Sequence, residues 1–305
     1  MQETTQTRSA PSTRLLGNGT LQTLIHPSGS GHSSHDWVAL TRSSNDALED
    51  HLGYYVYLRD LDTDAVWSVT PKPTLAPIEL LPVAPRPGLF RVKSCLHGLE
   101  AEMDVAVSAD HPLEIRRIRL TDTTGKPRRI EVTSYVEIVL NHPMADEAHP
   151  AFSKLFVQTE ADEKLGVLLA HRRPRSSGET GLWIMHSAHG GEDGQYETDR
   201  AEFIGRGHSL ARPAALAPGK RLANTLGNVL DPVFASRRTV NLEAGQTGEI
   251  AYTLGVATER EEAIKLRLQA STAKKIETQF DKADKRERAC LKELDMTQDQ
   301  ADHYQ

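Results

Sequence analysis

Apolar and polar positions alternate strictly through two long stretches of the chain. Leu99, Ala101, Met103, Val105 and Val107 interleave with Glu100, Glu102, Asp104, Ala106 and Ser108. Ile130, Val132, Ser134, Val136, Ile138 and Leu140 interleave with Glu131, Thr133, Tyr135, Glu137 and Val139. A period of two over such lengths predicts half-buried antiparallel strands. The turn-forming run Asp122-Thr123-Thr124-Gly125-Lys126-Pro127 separates them, after a strand that ends near Leu120. Ile250, Tyr252, Leu254 and Val256 repeat the pattern behind a turn at Glu243-Ala244-Gly245-Gln246. Shorter strands are predicted at Leu21 to Ile25, Tyr54 to Leu58, Leu155 to Val157, Val167 to Ala170 and Leu182 to His186. Apolar parity slips between Ile115 and Ile118, which predicts a bulge there. Many short strands joined by polar turns make the chain mostly β, a large antiparallel sandwich.

Two regions break the alternation. Leu75 to Gly88 carries Pro77, Pro82, Pro85 and Pro87, and proline cannot donate to a ladder, so an extended connection or sheet edge is expected. The stretch from Gly205 to Asn228, rich in Gly, Ala and Pro, reads as a long functional or interfacial loop. From Thr258 the period becomes helical. Thr258 and Glu261 have capping-box spacing, and Ala273, Ile276, Phe280 and Ala283 recur on one face. This stripe either folds back on the sandwich or meets another domain. With Leu294 it should dock or drive self-association as a homodimer, because large apolar patches rarely stay bare. A second capping box, Thr297-Gln298-Asp299-Gln300, starts a helix with about two turns of chain left before Gln305, too little to be stable alone. That suggests a helical partner. The expected organisation is a flexible tail over 1–13, a sandwich over 14–257 and helices over 258–305.

Composition narrows the function. At 305 residues the chain is near the upper limit for one hydrophobic core. A net charge of −6 argues against nucleic acid, which requires a basic surface. No run reaches the ~18 consecutive apolar residues of a membrane span. The polar first thirteen residues lack a signal-peptide core, and with only Cys95 and Cys290 a cytoplasmic location is expected.

No catalytic constellation is complete, and no metal or cofactor site is expected. His26, His32, His35 and His51, near Asp36 and Asp46, match no standard zinc spacing and read as solvated loop histidines. Ser28-Gly29-Ser30-Gly31 lacks the flanking glycines of a nucleophile elbow. Trp37, Tyr54, Tyr55 and Tyr57 could stack on sugar rings. Trp67 and Trp183 read as core, whereas Trp37 follows a Gly/Ser/His loop and reads as a binding edge. His142 to Pro150 reads as a charged surface loop, with a ligand- or domain-facing role as the sharper alternative.

Several segments in order resemble the amino-terminal sandwich of the family 94 glycoside phosphorylases. They are Leu16-Gly17-Asn18-Gly19, Ala39-Leu40-Thr41-Arg42, Tyr57-Leu58-Arg59-Asp60, Val66-Trp67-Ser68 and Val132-Thr133-Ser134-Tyr135-Val136-Glu137. His149-Pro150-Ala151-Phe152-Ser153-Lys154-Leu155-Phe156-Val157, Tyr196-Glu197-Thr198-Asp199-Arg200, Phe203-Ile204-Gly205-Arg206-Gly207 and Leu230-Asp231-Pro232-Val233-Phe234 continue the series. Within that family the chain looks most like the phosphorylase-like module of cyclic β-1,2-glucan synthases. The resemblance implies a large antiparallel β-supersandwich, then carboxy-terminal linker helices through Leu291-Lys292-Glu293-Leu294 and Thr297 to Gln305. An (α/α)₆ barrel would follow in the family, holding the general-acid aspartate and the phosphate site; no barrel is recognised in these residues. The loop after Thr41 is implied to approach the sugar, with Trp37, Arg42, Asp46 and Asp50 as contacts. Two departures stand out: His32 where the family usually has an aromatic residue, and Ser43-Ser44-Asn45 where tryptophan follows Thr-Arg. The expected function is a non-catalytic carbohydrate-binding or scaffold half of an enzyme acting on β-glucan oligosaccharides, inactive alone. A free-standing carbohydrate-binding module is the alternative, and an independent hydrolase using carboxylates or the histidine group is a weaker third.

Overall fold

A computed structural model describes residues 13–43, 51–174, 181–297 and 300–301. The tail over 1–13 therefore lies almost wholly outside the described residues, as do Asp46, Asp50 and 302–305. The described strands form two antiparallel sheets. In the first, of nine strands, the order is Arg14–Gly17, Leu21–Ile25, Gly31–His35, Val38–Thr41, Arg128–Asn141, Pro232–Leu242, Glu192–Asp199. Tyr55–Asp60 also pairs with Arg128–Asn141 and carries Val66–Ser68 on its other edge. In the second, of eight, the order is Val157–Asp162, Val167–Arg172, Trp183–His189, Thr247–Ala257, Leu113–Asp122, Leu99–Val107, Phe90–Leu96, Glu79–Leu81. This is the large mostly-β sandwich that the alternation predicts. The proline-rich stretch supplies its edge strand Glu79–Leu81.

Three apolar layers hold the structure together. The inner faces of both sheets bury Leu58, Trp67, Met103, Ile118, Ile130, Phe234 and Leu254 between them. The outer face of the second sheet is covered by helices Arg260–Leu266 and Ala273–Glu293. The outer face of the first is covered by the helix Arg200–Ile204 and the irregular 205–228 segment, whose Leu210, Leu216 and Leu222 pack on Tyr55, Tyr57 and Tyr135.

Double coverage explains one error of the pattern reading. The Leu113–Asp122 strand is not bulged: its register is continuous against both neighbours. Leu113 and Ile115 face the helices, whereas Ile118 and Leu120 face the other sheet. Where both faces are buried, apolar residues need not keep one parity. Register shifts lie instead in the first sheet, within Glu192–Asp199 and between Ile138 and Asn141, where Leu140 takes φ +52°. A positive φ is costly for a side chain bearing a Cβ and is concentrated at functional sites.

The helices also depart from expectation at their starts. The first begins after Glu259 without a side-chain cap, so the Thr258/Glu261 box is not formed. Thr272 caps the long helix instead, accepting from the Lys275 amide. Ile276, Gln279, Phe280 and Ala283 are buried on the sandwich. Ser108 Oγ donates to Gln279 Oε1 at 2.7 Å, and the Arg117 guanidinium lies 4.7 Å from the Phe280 ring. Gly88, at φ +69°, touches this helix so closely that a Cβ would fall 2.5 Å from the Ala283 carbonyl oxygen. Leu294 is 67% exposed and belongs to no such contact. The second capping box does form: Thr297 Oγ1 accepts from the Gln300 amide, and Gln300 Oε1 accepts from the Thr297 amide.

Inside the sandwich, His186 is fully buried beside the Tyr54 hydroxyl at 2.9 Å and Ser134 Oγ at 3.1 Å. Burial, with a smaller contribution from His189, pushes its pKa from 6.5 down to about 3. The unfolded chain therefore binds a proton that the folded one refuses between these values. Stability should be intact above pH 6.5 and fall as the pH drops towards 3, by about 2 kcal/mol at pH 5 from this residue. Urea titrations at pH 7.5 and 5 should show this loss shrinking in His186→Gln; an identical loss in the variant would refute it.

Candidate functional site

The hairpin joining Gly31–His35 to Val38–Thr41 turns through Asp36, at φ +49°, and Trp37. The turn leaves Trp37 84% exposed. An exposed indole offers a flat apolar face on which a ligand ring can stack. Trp37 lines a cleft of about 600 Å³ together with His32, Arg42, His142, Asp146 and Glu147. His142 to Pro150 is not a plain loop: it forms the short helices Pro143–Ala148 and Pro150–Lys154. His142 caps the first, its Nδ1 accepting from the Met144 amide at 3.3 Å. Burial lowers the His32 pKa, favouring a neutral imidazole that can both donate and accept.

Trp37 and Arg42 are thus brought together; Asp46 and Asp50 lie outside the described residues. Arg42 is already engaged. Its Nε is 3.1 Å from Glu137 Oε2 and its Nη1 3.0 Å from Asp146 Oδ2. Glu137 also accepts from Arg200 Nε at 2.9 Å and from the Tyr135 hydroxyl at 3.0 Å. Arg200 lies 3.7 Å from Asp231, which pairs with Lys154 Nζ at 2.7 Å. Neighbouring carboxylates hold the Arg200 pKa well above its usual value, though burial opposes them. The result is one alternating ion chain, Asp146–Arg42–Glu137–Arg200–Asp231–Lys154, along the end of the first sheet. Five of its members come from five of the family-like segments. Around it Met144, Phe152, Leu155 and Leu230 stay 72%, 54%, 47% and 74% exposed.

Sequence reasoning missed Glu137, Asp146, Arg200, Asp231 and Lys154 as a group. The available signal was Glu137, a carboxylate set among the apolar residues of a strand later found buried. Tyr54, Tyr55 and Tyr57 are buried to 4% exposure or less, so they pack in the protein and are closed to sugar stacking. Trp67 is core at 1% exposure, and Trp183 is half-buried, stacked 4.2 Å from the His171 ring. His26 bonds Ser28, and His35 faces Asp36 at 3.4 Å. No group of three or more potential metal ligands converges among the described residues.

Residues 1–273 match the family model described as "Glycosyl hydrolase 94, supersandwich domain". The chain is 35% identical over 253 residues to the cyclic beta-(1,2)-glucan synthase NdvB of Rhizobium meliloti (strain 1021), covering 82% of this chain and 9% of that protein. It is 24% identical to the N,N'-diacetylchitobiose phosphorylase of Vibrio furnissii, covering 85% of this chain and 32% of that one. The chain therefore spans a third or less of the length of either relative. Among solved structures, a bacterial glucoamylase complexed with acarbose superposes with a TM-score of 0.54 at 7% identity, over 91% of this chain and 38% of that one, a likeness of fold.

Proposed function

Because the chain belongs to glycosyl hydrolase family 94 through its supersandwich domain, we propose that it is the non-catalytic, carbohydrate-facing scaffold of a glycoside phosphorylase or cyclic β-1,2-glucan synthase-type enzyme. Its ligand in this reading is a β-glucan oligosaccharide, lying across the Trp37 cleft with a ring stacked on the indole. Hydroxyls then meet His32, His142 and Glu147. The exposed indole on a cleft built beside family-like segments is the observation that carries the reading. The general acid comes from a helical-barrel domain or chain, and the apolar collar of Met144, Phe152, Leu155 and Leu230 around the ion chain is the surface for it. Among the described residues no helix is long and apolar enough to cross a membrane.

Calorimetry with β-1,2-gluco-oligosaccharides tests this. The chain should bind them, and Trp37→Ala should weaken binding about tenfold, the loss of ~1.5 kcal/mol of aromatic contact. Equal affinity in the variant would remove the cleft from the account. The exposed indole equally suits a free-standing binding module, which binding at full strength without any partner domain would favour. Mixed with the same glucans and phosphate, the chain should show no turnover above a heat-killed control. A positioned general acid contributes ~10²–10⁴-fold, so one inside this chain would be visible.

A further inference from the structure

The Trp37 cleft carries negative charge that nothing in its described lining balances. Arg42 is the only lysine or arginine among the described lining residues, and it is spent on Glu137 at 3.1 Å and Asp146 at 3.0 Å. Those two carboxylates belong to the ion chain, where Asp146, Glu137 and Asp231 are already matched by Arg42, Arg200 and Lys154. Two more carboxylates line the cleft and stand outside that chain. Glu147, exposed near the end of the Pro143–Ala148 helix, makes no ion pair or hydrogen bond among the described residues. Asp36, exposed in the hairpin turn, faces the His35 ring at 3.4 Å, an imidazole that carries charge only when protonated.

The hydrogen-bonding groups agree with the charges. An ionised carboxylate accepts and never donates. His142 Nδ1 accepts from the Met144 amide, which leaves Nε2 of the neutral ring as an N–H donor. Burial favours the neutral form of His32, and Ser34 and Ser43 add hydroxyls to the lining. These donors are uncharged, and the one guanidinium is already turned to two carboxylates. A polyol brings O–H donors to the waiting carboxylates and is matched by this lining. An anionic substituent brings only acceptors and like charge, and meets no uncommitted cation.

Building on the glucan reading of this cleft, we propose that it selects uncharged oligosaccharides and rejects those bearing anionic substituents, with Glu147 and Asp36 as the residues that set this specificity. Each carboxylate can take a sugar hydroxyl in a charge-assisted hydrogen bond. The same charge turns away an anion, and like charges set against each other are a general means of excluding a wrong partner. Screening in ~0.1 M salt acts over about 10 Å. A cleft of about 600 Å³ is narrower than that, so both carboxylates are felt across it.

Calorimetry on the full chain at pH 8 tests this with β-1,2-gluco-oligosaccharides that are unmodified, lightly carboxymethylated or lightly aminoethylated. The two substituents are similar in size and opposite in charge, so any steric loss is common to both. At low salt the carboxymethyl form should bind about tenfold more weakly than the other two. Raising sodium chloride from about 20 mM to about 500 mM should close most of that gap. Glu147→Gln and Asp36→Asn should each narrow it about threefold at low salt. Asparagine tolerates the positive φ of the turn, so the second change keeps the hairpin. Equal affinities for the two derivatives, or a gap unmoved by salt and by both substitutions, overturn the charge selection and leave glucan binding at Trp37 in place. A chain that binds none of the three removes the glucan reading of the cleft, and the charge selection with it.

Discussion

Replacing Glu137 with alanine is expected to be among the most damaging single changes in the molecule, lowering stability by about 3–5 kcal/mol. The carboxylate is 5% exposed and receives Arg42, Arg200 and the Tyr135 hydroxyl at once. Its removal leaves the Arg42 guanidinium, only 10% exposed, without this partner and also strips one from the more exposed Arg200, and the desolvation of Arg42 is the larger part of the loss. In a domain of this size, roughly 2–4 °C of melting temperature accompany each kcal/mol, so the transition should drop by about 6–20 °C. Arg42 and Arg200 retain Asp146 and Asp231, which keeps the estimate from running higher. The double variant Glu137→Ala/Arg200→Ala should recover part of the loss, because one stranded cation leaves with its partner. A drop below about 1 kcal/mol would mean the ion chain is solvated and does not organise this end of the sheet.

The same residue shows where sequence reading stops. Alternation located Arg128–Asn141 because one face of the strand meets the other sheet through Ile130, Val132, Val136 and Ile138. It could not say that the opposite face is covered too, by Phe203 of the helix Arg200–Ile204 and by Leu210 and Leu216 of a segment that reads only as irregular. Tyr135 and Glu137 therefore looked solvent-facing. Leu113–Asp122 failed for the same reason, its parity slip recording a change of partner layer along an unbroken strand. The ion chain was illegible for a different one: Arg42 and Arg200 are 158 residues apart in sequence, and only strand order brings Val38–Thr41 and Pro232–Leu242 against the same central strand. Family-like segments marked these positions without saying that they touch. Trp37 was legible because a tight turn leaves an indole nowhere to be buried.

Phe280→Ala tests the remaining open choice, whether the carboxy-terminal stripe belongs to the sandwich or awaits another domain. Phe280 is fully buried among Ile115, Met185 and Ile276, with Arg117 over its ring. Truncating such a phenylalanine costs about 3–5 kcal/mol in transfer and cavity terms. Its neighbours Ile115, Met185 and Arg117 lie on the sheet, so the loss should first appear as local opening of Ala273–Glu293. Hydrogen exchange should rise across the helix, and limited proteolysis should cut within it while the strands stay protected. The uncovered face, with Leu113, Ile115, Leu169 and Met185, is apolar and should drive concentration-dependent association on light scattering. Leu294→Ala, at a residue 67% exposed on the same chain segment, should change stability by no more than about 0.5 kcal/mol. If the two variants behaved alike, with the helix equally protected in both, Phe280 would not be what fastens it. The even helical spacing of Ile276, Phe280 and Ala283 would then need a partner other than this sheet.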